Sequence, residues 1–287
     1  MKFAKIDGIR CEATKSGQRG ICPGCGAKVV ARCGRVKVTH WAHLSGKDCA
    51  SWHEPETEWH RMWKNQFPIE WQEKDFIYQK TGEHHRADVH TPHGLTIEFQ
   101  HSAIKPEERA ERENFYSSIG DMIWVVDGTR AKNIWKKFNQ NRNLLFRDKR
   151  LPPDTLTCRA PEKLFPEEWT QHPVPIFFDF IGTLSKEETP EEKQLLICLF
   201  PKRNKPDILI RLISQPNFIE LCKSGEIKQW HSLEYEPYAF PVSSNIKPQA
   251  HEIKTLNTNI MQPIAYNING RIYIITPGTP SRKSRRF

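Results

Sequence analysis

The chain has 287 residues, 37% of them hydrophobic and 10% aromatic, and its 43 Lys and Arg outnumber 34 Asp and Glu for a formal net charge of +9. That composition excludes a disordered chain and leaves room for one large or two modest domains, each with its own core. No apolar run reaches the ~18 residues that a membrane-spanning helix needs, and the excess positive charge points to an anionic partner, DNA first among them.

The opening stretch, Met1-Lys2-Phe3-Ala4-Lys5-Ile6-Asp7, lacks the apolar core of a secretion signal. A cytoplasmic setting with reduced cysteines is therefore expected. Cys11, Cys22, Cys25, Cys33 and Cys49 all fall early in the chain, a crowding that suits a metal better than a disulfide framework. Short strands are predicted over Lys2–Ile6, Lys28–Arg32 and Val36–Thr39. Between the first two lies Cys22-Pro23-Gly24-Cys25-Gly26, a knuckle whose paired thiolates can grip one tetrahedral ion. The second pair must come from His40, His43 and Cys49. The expected zinc ligands are Cys22, Cys25, His43 and Cys49, with His40 as the substitute. Cys11 and Cys33 are read as ordinary thiols. Lys28, Arg32, Arg35, Lys37 and Lys47 offer a basic face for DNA or a plain solvated surface. Residues 1–53 thus form a zinc-ribbon-like module.

A helix is predicted from near Glu54 to Phe67, opened by Pro55 and acidic residues and closed by Pro68. Trp59, Trp63 and Phe67 make its buried stripe, and Glu56, His60 and Lys64 a polar one beside it. Strand pieces follow at Ile69–Glu73, Phe76–Gln79, His85–His90 and Leu95–Gln100, with turns at Thr81-Gly82 and Pro92-His93-Gly94. Asp88 and Glu98 each sit between apolar neighbours, and Glu98 shares a strand face with Gln100. If their strands are adjacent, the two carboxylates make a hard-oxygen site for Mg²⁺ or Mn²⁺. A second helix begins near Pro106 and carries Arg109, Arg112 and Tyr116 on one face. A buried strand runs from Asp121 to Asp127.

The succession Cys-Pro-x-Cys, His-Trp-Ala-His, Glu-x-Glu-Trp-His-x-x-Trp-Lys, Arg-Ala-Asp-Val, Ile-Glu-Phe-Gln-His-Ser and Glu-Arg-Glu-x-Phe-Tyr resembles the competence protein CoiA-like family of the PD-(D/E)xK nuclease superfamily, over roughly residues 20–127. The resemblance implies an α/β (α+β) restriction-endonuclease-like core ordered helix, three strands, helix, strand, which matches the elements predicted here. It also implies a metal-dependent endodeoxyribonuclease that processes incoming or foreign DNA in transformation, on mobile elements or in phage conflict, alongside other DNA-processing proteins. Asp88 and Glu98 would then bind the catalytic metal, and Glu56 or Glu58 would be a helix-borne acid. Arg109, Arg112 and Tyr116 would support the phosphate. The superfamily lysine two residues after the strand acid is here Gln100. Lys64 can supply the missing cation, and His60 a proton shuttle or phosphate contact.

Beyond the core of residues 54–150, a helix is predicted over Thr129–Gln140 and a proline-rich connection over Leu151–Pro175. An α+β region of undefined purpose then fills 151–287, with strands at Val174–Ile181, Leu195–Phe200 and Ile208–Ile213, a helix at Phe218–Lys223, and a basic tail from Arg282 to Phe287. Asp179 and Asp207 form a weak second acidic pair. Two other readings stand beside the deoxyribonuclease. One is a non-catalytic zinc-containing DNA-binding or recruitment protein on a decayed nuclease fold. The other is an RNA-directed nuclease.

Overall fold

The computed structural model describes residues 1–34, 38–46, 49, 52, 54–78, 82–129, 132–148, 151–152, 154–180, 195–201, 207–231, 264–268 and 271–275. The first part is an antiparallel sheet of β1 (Phe3–Ile6), β2 (Ile9–Glu12), β3 (Arg19–Ile21), β4 (Lys28–Arg32) and β5 (His40–His43), in the order β2-β1-β3-β4-β5. Its core gathers small residues, Ala4, Ala13, Val29 and Ala31, around the single large side chain of Trp41, with Cys11 and Cys33 packed at the margin. The predicted Val36–Thr39 strand lies partly outside the described residues. The basic residues Arg35, Lys37 and Lys47 and the Arg282–Phe287 tail lie outside them altogether.

The second part begins with α1 (Glu58–Lys64), β6 (Gln72–Tyr78), β7 (Glu83–His90), β8 (Leu95–Gln100), α2 (Pro106–Ser117) and β9 (Asp121–Asp127). Strands β6, β7 and β8 are antiparallel neighbours, and α2 carries the chain across to β9, which pairs parallel to β8. The order helix, three strands, helix, strand is the one expected. The helix starts later than Glu54 because Thr57 is its N-cap: the Thr57 hydroxyl accepts from the His60 amide while the His60 ring accepts from the Thr57 amide, a capping box with histidine at N3. Ile69–Trp71 is a 3-10 turn after Pro68 rather than strand, so β6 begins at Gln72.

The same sheet continues through β10 (Leu145–Phe146), β11 (Thr155–Cys158), β12 (Ile176–Asp179), β13 (Leu195–Leu199) and β14 (Ile208–Ser214), giving nine strands ordered β10-β11-β14-β13-β12-β9-β8-β7-β6. The boundary expected at residue 150 thus falls within one sheet. A described helix, α3 (Lys132–Gln140), follows β9, α4 (Gln215–Ser224) follows β14, and β15 (Ile264–Ile268) pairs with β16 (Arg271–Ile275) as a separate hairpin. Alternation along β9 sends Met122, Trp124 and Val126 into a core with Tyr116 and Phe138, and Ile123 and Val125 into one with Trp59, Trp63 and Phe218. Both faces are covered, which is why this strand reads as a continuous apolar run. No helix among the described residues is long and apolar enough to cross a membrane.

Helix α1 has only seven residues, too few to stand alone. Its Trp63 is fully buried and stacks on Phe99 with ring centroids 5.7 Å apart. Trp59 Nε1 and Trp63 Nε1 both donate to Asp179 Oδ2, at 2.9 and 2.8 Å, and Asp179 has no exposed surface. A carboxylate can be held in a core when hydrogen-bond donors compensate its lost water. Asp207 instead faces Arg159 at 3.3 Å, so the two acids serve separate contacts. Asp179→Ala strands two buried indole donors and is expected to cost about 2–4 kcal/mol, and Asp179→Asn less because an acceptor remains. Urea unfolding followed by tryptophan fluorescence measures both; wild-type stability in Asp179→Ala would show that these bonds do not hold α1.

Candidate active site and metal-binding cluster

Strand β7 leaves β8 at Asp88, and its ladder with β6 skips one pair there. Its pairing with β8 runs His90 to Thr96 and Val89 to Ile97 and then stops. On the other side Val89 pairs with Gln72 and Ala87 with Lys74, so Glu73 and Asp88 are skipped. Glu73 takes φ +46 there, a left-handed conformation that costs a non-glycine residue energy. Where the β7–β8 ladder ends, side chains replace it. Glu98 Oε1 accepts from the Asp88 amide at 3.1 Å, and Asp88 Oδ2 accepts from the Phe99 amide at 3.0 Å. The structure therefore brings Asp88 and Glu98 together at the strand split.

The split opens a cavity of about 70 Å³. Glu54, Glu56, Glu73, Asp88 and Glu98 line it against Lys64, Arg86 and Arg112. Lys64 Nζ donates to Glu56 Oε2 at 2.7 Å and Glu73 Oε1 at 3.1 Å, and stands 3.7 Å from Asp88 Oδ1. Burial would lower its pKa, but Glu73, Glu56 and Asp88 outweigh that and raise it, so Lys64 is a fixed cation. Arg112 Nη1 donates to Glu98 Oε2 at 3.1 Å, and its guanidinium lies over Trp52. Burial and then the nearby Asp88 charge push Glu98 up to about 8, with Arg112 opposing; burial also raises Asp88. Two adjacent carboxylates with raised pKa values, Glu98 buried and Asp88 half-buried, are what a hard divalent cation relieves, so the pair can hold one.

The other expected residues divide. Glu56 lines the cavity, whereas Glu58 is exposed at the first turn of α1 and does not. Gln100 lies outside the lining; its Nε2 donates to Ser102 O at 2.9 Å. Both nitrogens of the His60 ring are engaged, Nδ1 with Thr57 Oγ1 at 2.8 Å and Nε2 with Phe99 O at 3.1 Å and Glu54 Oε2 at 3.3 Å. Arg109 donates to Glu168 O and to Gln171 O, tying α2 to the segment after β11 instead of lining the cavity. Tyr116 is fully buried near Glu98, and burial raises its hydroxyl well above the usual range.

Sequence reasoning passed over three residues. Glu54 accepts from the Ser102 amide at 2.5 Å, the His101 amide at 3.3 Å and His60. Glu73 accepts from the Lys2 and Phe3 amides at 2.6 and 3.2 Å. Arg86 lies two positions before Asp88, and that period-two spacing was a usable signal. Nothing in Trp71-Gln72-Glu73-Lys74 announces the positive φ of Glu73.

In the N-terminal sheet, ligand atoms of Cys22, Cys25, His43 and Cys49 lie within 4.8 Å of one another. This is the set expected. It can hold a metal ion such as zinc, for which three cysteines and one histidine are a common structural set. His40 is excluded because β5 turns it to the face opposite His43; its Nδ1 contacts Val38 O at 2.8 Å.

The family model described as "Competence protein CoiA, N-terminal domain" matches residues 6–51, and "Competence protein CoiA, nuclease-like domain" matches residues 56–165. Competence protein CoiA of Bacillus subtilis (strain 168) is 26% identical over 163 residues, covering 51% of this chain and 42% of that protein. The chain thus spans less than half the length of this curated relative. No solved structure gives a significant match.

Elemental analysis of the purified protein is expected to find one tightly held ion per chain, lost in Cys49→Ser. Burial would raise the pKa of Glu54, but the hydrogen bonds with His60 and Ser102 win and hold it at about 2. Its stabilising contribution is therefore complete above pH 4.5, the ordinary value, and is lost as pH falls towards 2. Glu54→Gln should cost about 1–2 kcal/mol at pH 7 and flatten the acid limb of stability against pH. An unchanged acid limb would remove Glu54 as its source. Glu98 acts with opposite sign, lowering stability as pH rises from 4.5 to about 8.

Proposed function

This chain belongs to the CoiA-like family, and from that premise and the geometry of its acidic centre we propose that it is a Mg²⁺- or Mn²⁺-dependent endodeoxyribonuclease with a PD-(D/E)xK core and a structural zinc module. One observation carries the reading: Asp88 and Glu98 converge in a charged cavity where β7 and β8 part. A divalent ion held by these two carboxylates would activate a water and neutralise charge that builds on the phosphate. Asp88 and Glu98 are the ion's ligands, with Glu56 as a further acid at the cavity wall.

Lys64 supplies the cation that the superfamily places two residues after the strand acid, where Gln100 stands here. Its ammonium arrives from α1 instead of β8 yet reaches within 3.7 Å of Asp88. Because the surrounding acids raise its pKa, Lys64 acts by charge, stabilising the attacking oxygen and the phosphate, and not by taking a proton. His60 fixes the start of α1 and orients Glu54. Arg112 holds Glu98 in place, and the net charge of +9 draws the polyanion in. The comparisons support a nuclease-related role through the nuclease-like domain over residues 56–165; DNA as substrate, and uptake or defence as setting, are part of the proposal.

The test uses full-length protein on linear, circular, nicked and single-stranded DNA and on RNA, with Mg²⁺, Mn²⁺ or chelator. Asp88→Ala and Glu98→Ala should each lower metal-dependent cleavage about 100-fold or more, while Glu58→Ala, outside the cavity, should leave it within about twofold. Cleavage that survives both cavity substitutions sinks the proposal. DNA binding that persists in chelator, with no cutting under any metal, would identify a binding or recruitment protein instead, and cutting confined to RNA would change the substrate class.

A further inference from the structure

The Cys3His cluster and the acidic centre share a wall. Cys49 and Met1 line the same cavity as Glu73, Asp88 and Glu98. Arg86, also in that wall, touches the cluster and stands two residues before Asp88 on β7. Its Nη2 donates to Cys22 Sγ at 3.4 Å, its Nε to Asp75 Oδ1 at 2.7 Å, and its Nη1 reaches Met1 Sδ at 3.2 Å. Asp75 in turn meets His84 Nε2 at 2.9 Å. The knuckle rests directly on this pair. A Cβ on Gly24 would stand 2.2 Å from His84 Nε2 and 2.7 Å from Asp75 Oδ1, so any larger residue must displace the knuckle or this pair. A second tie joins β1 to the cavity, since Glu73 accepts both the Lys2 and Phe3 amides while it pairs with Lys64.

Resting on the nuclease reading above, we infer that Arg86 is a positioning residue that couples the Cys3His cluster to the acidic centre, so that metal held in the cluster sets the geometry of β7 at Asp88. The physical basis is the guanidinium. It is a planar fork with donors in fixed directions, and here two of them end on different parts of the chain, Cys22 of the knuckle and Asp75 of β6. A bound metal fixes the position of Cys22, and the outer hydrogen bond to a ligand transmits that order. Arg86 is on the strand that carries Asp88, two residues away, so a knuckle held in place holds the strand at the point where it has left its ladder. Without the metal only weak hydrogen bonds join the ligands, Cys22 Sγ with Cys49 Sγ at 3.6 Å and Cys25 Sγ with His43 Nε2 at 3.4 Å, and Arg86 has a less firmly held partner.

The experiment follows amide hydrogen exchange by mass spectrometry in the full chain, zinc-loaded and chelator-stripped, over residues 83–100. Zinc is expected to slow exchange there about tenfold or more in the wild type. Arg86→Gln should take up the same zinc by elemental analysis yet show less than about threefold slowing, and Arg86→Lys, with its single ammonium, should be intermediate. Gly24→Ala keeps all four ligands but wedges the knuckle away from His84, and should reproduce the Arg86→Gln pattern even if that variant folds poorly. With zinc bound, Arg86→Gln should lose kcat about tenfold while KM for DNA stays within about twofold. Exchange at 83–100 that ignores zinc in the wild type, or that responds fully in both Arg86→Gln and Gly24→Ala, overturns the coupling. Because exchange requires no cutting, a wild type without nuclease activity would count against the nuclease reading and leave this result standing.

Discussion

The structure turns on a reciprocal exchange between two strands. Where β7 and β8 separate, the amide of Asp88 ends on the carboxylate of Glu98, and the amide of Phe99 ends on the carboxylate of Asp88. Backbone donors that leave a ladder inside a protein need other acceptors. Here the acceptors are the two acids themselves. The strands can therefore part without orphaned amides, and the parting creates the cavity in which the acids meet. One constraint thus sets both the opening and the spacing of its chemistry.

Concentrating carboxylates in so small a space has a cost, visible in the raised pKa of Glu98. The chain offsets part of it with cations drawn from three different elements. Lys64 from α1 and Arg112 from α2 donate to acids of the cavity. Arg86 from β7 lies in its wall, pairs with Asp75 and, against the effect of burial, joins Lys64 in lowering the pKa of Glu73 by its charge. Removing one partner of such a buried pair is far more damaging than never building it, so these contacts lock the three elements in one arrangement. The acids Glu54 and Glu73 spend part of their accepting capacity on backbone amides of residues far along the chain, Ser102 in one case and Lys2 and Phe3 in the other. They are as much fasteners as charges.

Much of this could be read from residue order. Period-two alternation placed Asp88 and Glu98 between apolar neighbours and Glu98 with Gln100 on one face. The four-residue spacing of Trp59, Trp63 and Phe67 gave the buried stripe of α1, and Cys22-x-x-Cys25 with His43 and Cys49 gave the metal cluster. What resisted reading were interactions set by tertiary contact. The start of α1 depends on a histidine ring acting as a capping side chain. The place of Glu73 depends on a left-handed backbone that glutamate seldom adopts. Reading Asp179 as half of a second acidic pair with Asp207 missed two indole donors arriving from residues more than a hundred positions earlier. Gln100 shows the opposite error: alternation put it on the correct face, but its amide turns to Ser102.

Asp179 also changes how the second half of the chain is understood. The sequence divides at a proline-rich stretch, and the strands beyond it suggested a separate unit. Instead β12 extends the central sheet directly beside β9, and its last residue holds both tryptophans of α1. Helix α1 carries Lys64, and Lys64 carries the positive charge beside Asp88. A continuous path therefore runs from β12 through the indoles to the acidic centre. Residues near 179 belong to the support of that centre in the same physical sense as α1 itself, because a short helix without its anchor could not hold a buried ammonium among three carboxylates.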